Sequence, residues 1–247
     1  MIHDYLEYPS KSQWIEIVSE TRISELYLEV SETKEGDIIS SLFNQEFKSW
    51  LRLFNNRLGQ SRMSYVFLMH YYKKGIPDDE WFLSPGKEGQ SVQYFPHFNE
   101  ENFYYKMMFD YYMDIFYYKF FSAWDTMFHV INVYYSFDLL PNSRFNSNVM
   151  QRLLQRNNSL HTIISNVSNS EPFVQSRTLR NNITHNYAPN DISSGITIEK
   201  IKEGVSKISF GIGTYTTSKT FIENVNGIID KFIPLLAALK NAFESDS

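Results

Sequence analysis

The chain has 247 residues, 29.2 kDa and a net charge of −5; it is 17% aromatic, with 20 Phe and 17 Tyr against 10 Gly and 8 Pro. Such a composition can bury a sizeable core and is too rich in large side chains for a disordered chain. The absence of Cys excludes a disulfide framework, thiolate metal sites, iron–sulfur clusters and a cysteine nucleophile, and the acidic balance argues against coating nucleic acid by bulk charge.

The first residues, Met1 to Tyr8, lack a basic start and an apolar run, so no signal peptide is expected and the reading is a soluble, cytoplasmic protein. Residues 11–31 carry Trp14, Ile17, Val18, Ile23, Leu26 and Tyr27 in a helix-like but irregular spacing, and Asp37 opens a better helical pattern running to about Tyr72. Gly75, Pro77, Pro85, Gly86, Gly89 and Pro96 then mark a long loop over 75–98. A loop that long suggests two parts, an N-terminal helical region 1–98 and a bundle over 99–247.

Asn99 followed by Glu100 and Glu101 is a helix start, an Asx cap with acids in the first turn. Neither Gly nor Pro follows until Pro141, which predicts one very long helix over 99–139, aromatic on most sides and buried on most sides. Its apolar stretch from Phe103 to Phe121 contains Lys106, Asp110, Asp114 and Lys119, which makes it a buried helix of a soluble protein rather than a membrane span. Shorter helices are expected at 147–157, 159–167 and 172–186. The period changes between Ile196 and Gly213, where a small β-hairpin is the expectation and the only strand foreseen. A last helix runs over 217–243 with Pro234 kinking it. The fold class is therefore all-α, a helical bundle around one long central helix.

Common catalytic signatures are missing. The six His show no metal-ligand spacing, and no Gly-rich phosphate loop or nucleophile elbow is present, so no metal and no cofactor are expected. One polar line runs along the long helix: Ser122, Asp125, His129, Asn132 and Ser136. Asp125 and His129 at i, i+4 could pair and hold the imidazole charged, while the plainer reading of this line is structural.

Charge is unevenly spread. From Asn142 to Pro189 the chain carries Arg144, Arg152, Arg156, Arg177 and Arg180, no Lys, and the single acid Glu171. Arg without Lys suits sites where planar donors meet phosphate in fixed geometry. Within that segment, helical steps of three and four place Arg177, Arg180, Asn181, Thr184 and His185 on one face, with Leu179 and Ile183 on the packing side. Pro189 ends the helix shortly beyond, leaving His185 and Tyr187 near its end. A solvated polar face with an idle His is the plain alternative.

Arg180-Asn181-x3-His185 resembles the Arg-polar-x3–5-His signature of the HEPN superfamily, and the continuation to Tyr187 resembles the Arg-x4-His-x-Tyr form of HEPN toxins paired with small nucleotidyltransferases. The resemblance covers about residues 99–245. It implies an all-helical bundle and metal-independent endoribonuclease chemistry at a homodimer interface, with one Arg/His pair from each copy. In that scheme the RNA 2′-hydroxyl attacks the adjacent phosphorus, His185 transfers protons, Arg180 neutralises phosphoryl charge, and Asn181 orients the His or holds phosphate; Arg177 and Thr184 would bind RNA or phosphate. It further implies a toxin or phage-defence role, an antitoxin or nucleotidyltransferase partner, and Tyr187 as an AMP acceptor. The other implied reading is a non-catalytic HEPN-like module that binds nucleotide or protein with the same face.

Overall fold

The computed structural model describes residues 5–30 and 38–245, with side chains described from 42 in the second stretch. The chain runs through α1 (Lys11–Ser19), α2 (Ile38–Lys73), β1 (Phe82–Leu83), β2 (Gln93–Tyr94), α3 (Glu100–Tyr134), α4 (Phe145–Arg156), α5 (Asn158–Ser168), α6 (Glu171–His185), β3 (Ile196–Lys202), β4 (Val205–Phe210) and α7 (Ser218–Ser245). It is an all-α bundle bearing two small antiparallel hairpins, β1–β2 and β3–β4.

Local chemistry explains most helix ends. Ser10 and Gln13 form a capping box at the start of α1, and Asn99 and Asn102 form one at the start of α3, each side chain accepting from the other's backbone N–H at 2.9 Å. The helix-like pattern over 11–31 is interrupted. After Ser19 the chain makes a 3-10 turn at Ile23–Glu25 and then extends. Asn55 on α2 clasps that extended piece, accepting from Leu28 N at 2.9 Å and donating to Leu28 O at 2.8 Å. A tertiary partner thus replaces the helical bonds these residues would otherwise make.

α2 and α3 form the central pair. Tyr72 meets Phe109, Tyr65 meets Phe116, Trp50 meets His129 and Phe47 meets Tyr134, so partner numbers rise along one helix as they fall along the other: the pair is antiparallel. Phe54, Leu58 and Tyr65 of α2 share one core with Phe116, Phe120 and Trp124 of α3 and with Phe221, Val225, Ile228, Phe232, Leu239 and Phe243 of α7. The expected division into 1–98 and 99–247 therefore has no counterpart in the packing. Loop 75–98 joins two helices of one core, because neither α2 nor α3 could keep its aromatic side chains from water alone.

Two further expectations need correcting. The long helix ends at Tyr134, not 139, although no Gly or Pro intervenes. Asn132 turns the chain there: its Oδ1 accepts from Leu139 N at 3.2 Å and its Nδ2 donates to Leu139 O at 3.3 Å, while Ser136 and Asp138 take positive φ. Strand is not confined to 196–213 either, since β1–β2 forms within loop 75–98. Among the described residues, no helix is long and apolar enough to cross a membrane.

Candidate functional site

α6 is positioned by its apolar side and by one asparagine. Phe173, Ser176 and Leu179 are buried, and Phe173 packs on Phe120, Phe121 and Trp124 of α3 at ring separations of 6.3, 5.4 and 4.4 Å. Asn224 of α7 donates to Pro172 O at 2.9 Å and to Gln175 Oε1 at 3.0 Å, and accepts from the Tyr117 hydroxyl at 2.8 Å. Three helices are tied at one buried amide. Gly227 lets α7 approach this turn, since a Cβ there would stand 3.0 Å from Pro172 Cβ.

The opposite side of α6 presents the residues singled out by spacing. Arg177, Asn181, Thr184 and His185 are exposed and Arg180 is half-buried. Arg177 donates to Ser168 Oγ at 3.2 Å and lies 5.3 Å from the Phe173 ring centroid. Arg180 stands 6.0 Å from the Phe121 ring centroid and donates from Nη1 to Asn181 Oδ1 at 3.1 Å. Thr184 spends its hydroxyl hydrogen on Arg180 O at 2.8 Å, which leaves the oxygen's lone pairs to a donor. Among the described residues the His185 side chain makes no hydrogen bond, ion pair or ring contact, and it lies exposed at the helix end.

Two consequences follow from this geometry. The guanidinium groups are braced by rings, with Arg177 exposed and Arg180 half-buried. The imidazole has no such brace among the described residues of one chain.

Beyond the helix, Asn186 folds back, donating from its backbone N–H to Asn182 O at 3.0 Å and from Nδ2 to Asn182 Oδ1 at 2.9 Å. Tyr187 is 62% exposed. The chain is then tied down: Lys106 Nζ donates to Asn190 O at 3.0 Å and to Asp110 Oδ2 at 2.5 Å. Burial pushes the Asp110 and Asp114 carboxyls up to about 6; the Lys106 ammonium opposes the rise at Asp110, and the Asp110 charge adds to it at Asp114.

The polar line on α3 is dismantled by its neighbours. Asp125 accepts from Asn146 Nδ2 at 2.8 Å and does not hold His129. His129 instead lies between the rings of Trp50 and Phe145, each 4.3 Å away, and burial with the nearby Arg57 charge lowers its pKa. The pairing that the spacing allowed gives way to an imidazole stacked between two rings, where burial outweighs the carboxylate, in line with the plainer structural reading. Ser122 gives its carbonyl to Arg57 Nη1 at 2.9 Å, and Arg57 also bonds Thr126. Neither Asp125 nor His129 comes near the α6 face through any of these contacts.

Phe121 and Ser168, which brace the two arginines, were not among the residues foreseen. Both act across helix boundaries, and no local pattern announces such a contact. Among the described residues, no group of three or more His, Cys, Asp or Glu side chains could hold a metal ion.

A family model described as HEPN_Cthe2314-like HEPN matches residues 50–242, from within α2 to the last turns of α7. No curated protein and no solved structure matches.

Proposed function

Because the chain belongs to the HEPN_Cthe2314-like HEPN family, we propose that it is a metal-independent endoribonuclease whose site is the Arg180–Asn181–His185 face of α6, completed by a second copy. The observation that carries this reading is the contrast on that face: guanidinium groups braced by Phe121 and Phe173 beside an exposed imidazole with no partner among the described residues.

The RNA 2′-hydroxyl is a built-in nucleophile for the adjacent phosphorus, so the protein must supply proton transfer and charge stabilisation. Cleavage needs one proton removed from the 2′-oxygen and one delivered to the departing 5′-oxygen. One chain offers a single imidazole on this face, and a second copy offers the other. His185 of each copy would take one of these roles, while Arg180 stabilises the phosphoryl oxygens as charge grows. Asn181 holds the Arg180 guanidinium, and Arg177 and Thr184 lie where flanking phosphates would pass. The products would be a 2′,3′-cyclic phosphate and a 5′-hydroxyl.

The exposed Tyr187, two residues past His185, suits control by a nucleotidyltransferase partner or an antitoxin, since a nucleotide added there would bring negative charge over the same face. On this reading the protein is a toxin or defence component acting on RNA in the cytoplasm.

The test is cleavage of single-stranded RNA in EDTA by wild type, His185→Ala and Arg180→Ala. The reading expects wild type to cut RNA and not DNA, which lacks the 2′-hydroxyl, and both variants to lose at least about 10²-fold in rate, with Tm unchanged for His185→Ala and lowered by no more than a few degrees for Arg180→Ala. Equal cleavage by wild type and His185→Ala overturns it. No cleavage of any RNA by a dimeric wild type leaves the family's alternative, a module that binds nucleotide or protein with this face.

A further inference from the structure

The β3–β4 hairpin is exposed along its whole length. Ile196 pairs with Phe210 and Ile198 with Ile208, so these four side chains share one face; Thr197, Glu199, Lys207 and Ser209 share the other. The apolar face is bare, with Phe210 81% and Ile198 65% exposed. A two-stranded hairpin standing alone in water is marginal at best, and four large apolar side chains on one of its faces ask for a cover.

The base of the hairpin is built to hold it outward. Ser193 N donates to Thr214 O at 3.1 Å, Gly211 N to Gly195 O at 2.8 Å and Thr216 N to Pro189 O at 2.8 Å. Tyr94 of β2 donates to Ile212 O at 2.9 Å. Gly195 has φ +68°, and a Cβ there would fall 2.1 Å from Gly211 O, so the two strands cross this point as bare backbone. From that base seven residues of β3 reach about 20 Å.

A second bare surface lies on α3, where Phe103, Met107, Tyr111 and Tyr118 recur at helical spacing and are 42–61% exposed. Asp110 and Asp114 fall on the same side of the helix, and Asp114 Oδ1 is buried with no hydrogen-bond partner among the described residues. The hairpin carries Lys200, Lys202 and Lys207 against Glu199 and Glu203. The apolar face of the ribbon continues to Lys200, and the aromatic stripe is interrupted by Asp114, whereas Asp110 is already held by Lys106. The two surfaces therefore match in shape class and, at Lys200 and Asp114, in charge.

We propose that the 196–210 hairpin is a dimerisation arm whose Ile196/Ile198/Ile208/Phe210 face lies on the Phe103–Met107–Tyr111–Tyr118 stripe of a second copy of this chain. This rests on the reading that two copies complete the Arg180/His185 site. The arm starts eleven residues after His185, and its root segment, Asn190 to Ile192, borders Phe103, Met107 and Asp110, so the arm and the stripe both adjoin the end of α6. A two-fold axis uses both surfaces twice. The exposed apolar side chains of arm and stripe amount to roughly 1,000 Å² per chain, and the reciprocal pair then exceeds the ~1,600 Å² of a standard interface.

The chain has no Cys, so single cysteines report cleanly. Untagged Ile208→Cys protein is mixed with affinity-tagged Tyr111→Cys protein and treated with a short bismaleimide. The expected result is a 208–111 cross-link between the two preparations; a dimer that yields only 208–208 products, or none, overturns the arm. In parallel, sedimentation of Ile198→Asp/Ile208→Asp is compared with wild type. The dissociation constant is expected to rise at least about 100-fold with Tm of the monomeric fold unchanged, since both side chains are exposed in the monomer. An unchanged dimer, or a wild type monomeric at tens of micromolar, overturns it. RNA cleavage is scored separately: an inactive wild type whose cross-link forms removes the ribonuclease reading and keeps the arm, whereas active protein without the cross-link does the reverse.

Discussion

The guanidinium of Arg180 on α6 stands 6.0 Å from the centre of the Phe121 ring on α3. The motif arginine is thus aimed by a residue 59 positions upstream, on a different helix. Phe121 is itself held against Phe173 of α6, so the ring that braces the arginine also seats the helix that carries it.

Replacing Phe121 by Leu keeps an apolar side chain in the core but removes the ring face. A half-exposed cation–π contact is worth about 0.5–1 kcal/mol, so kcat/KM for RNA should fall roughly 2–5-fold while Arg180→Ala falls far more. Arg180→Lys should behave like Arg180→Ala, because an ammonium cannot present the planar fork. Steady-state cleavage of one oligonucleotide by the three variants checks the order; a fully active Arg180→Lys would show that only charge is required.

Asp78, buried in the loop before β1, accepts from Ser218 N and Ser218 Oγ at 2.8 Å each and from the Tyr215 hydroxyl at 2.6 Å. It caps α7 from 140 residues away. Asp78→Ala leaves three donors without an acceptor, and we expect about 2–4 kcal/mol of lost stability by urea unfolding. A loss below about 0.5 kcal/mol would mean that water replaces the carboxylate without cost.

The raised carboxyls set a pH dependence. Asp110 and Asp114 titrate near 6 in the folded chain and lower when unfolded, so between those values the native state binds more protons and stability falls as pH rises. Their contribution is fully present below the unfolded pKa and is lost as pH climbs through about 6. Asp114→Asn should therefore stabilise the protein at pH 7.5 by about 1 kcal/mol, after solvent screening of a partly exposed group, and by little at pH 4.5. Equal effects at both pH values would refute this.

His129 acts in the opposite sense. Its lowered pKa means that the unfolded state takes up a proton first as pH falls, so the stability it contributes is present above the unfolded value of about 6.5 and is lost on acidification. His129→Phe keeps a ring between Trp50 and Phe145 without a titrating nitrogen. Its Tm relative to wild type should rise between pH 7.5 and pH 5, and a constant difference would show that the imidazole does not titrate there.

Much of the fold follows from local chemistry. The Asn99 cap, the Gly- and Pro-free run behind it and the period change after Ile196 predict the long helix and a small hairpin, because capping, periodicity and turn residues act within a few positions. The face of α6 is legible for the same reason: steps of three and four bring Arg177, Arg180, Asn181, Thr184 and His185 to one side of any helix. What spacing could not supply was the environment. Asp125 and His129 have the right interval to pair, yet Asn146 takes the carboxylate and two rings enclose the imidazole.

The sequence alone determined the helical bundle, the family resemblance and the identity of the polar face, since each depends on residues close together in the chain. Tertiary structure decided where α3 stops, that α2 belongs to the same core, and that Phe121, Asn224 and Asp78 position the elements around the site. Those contacts join residues separated by tens of positions. Their energies come from burial and from donors and acceptors meeting in space, and neither periodicity nor propensity records which distant side chains will meet.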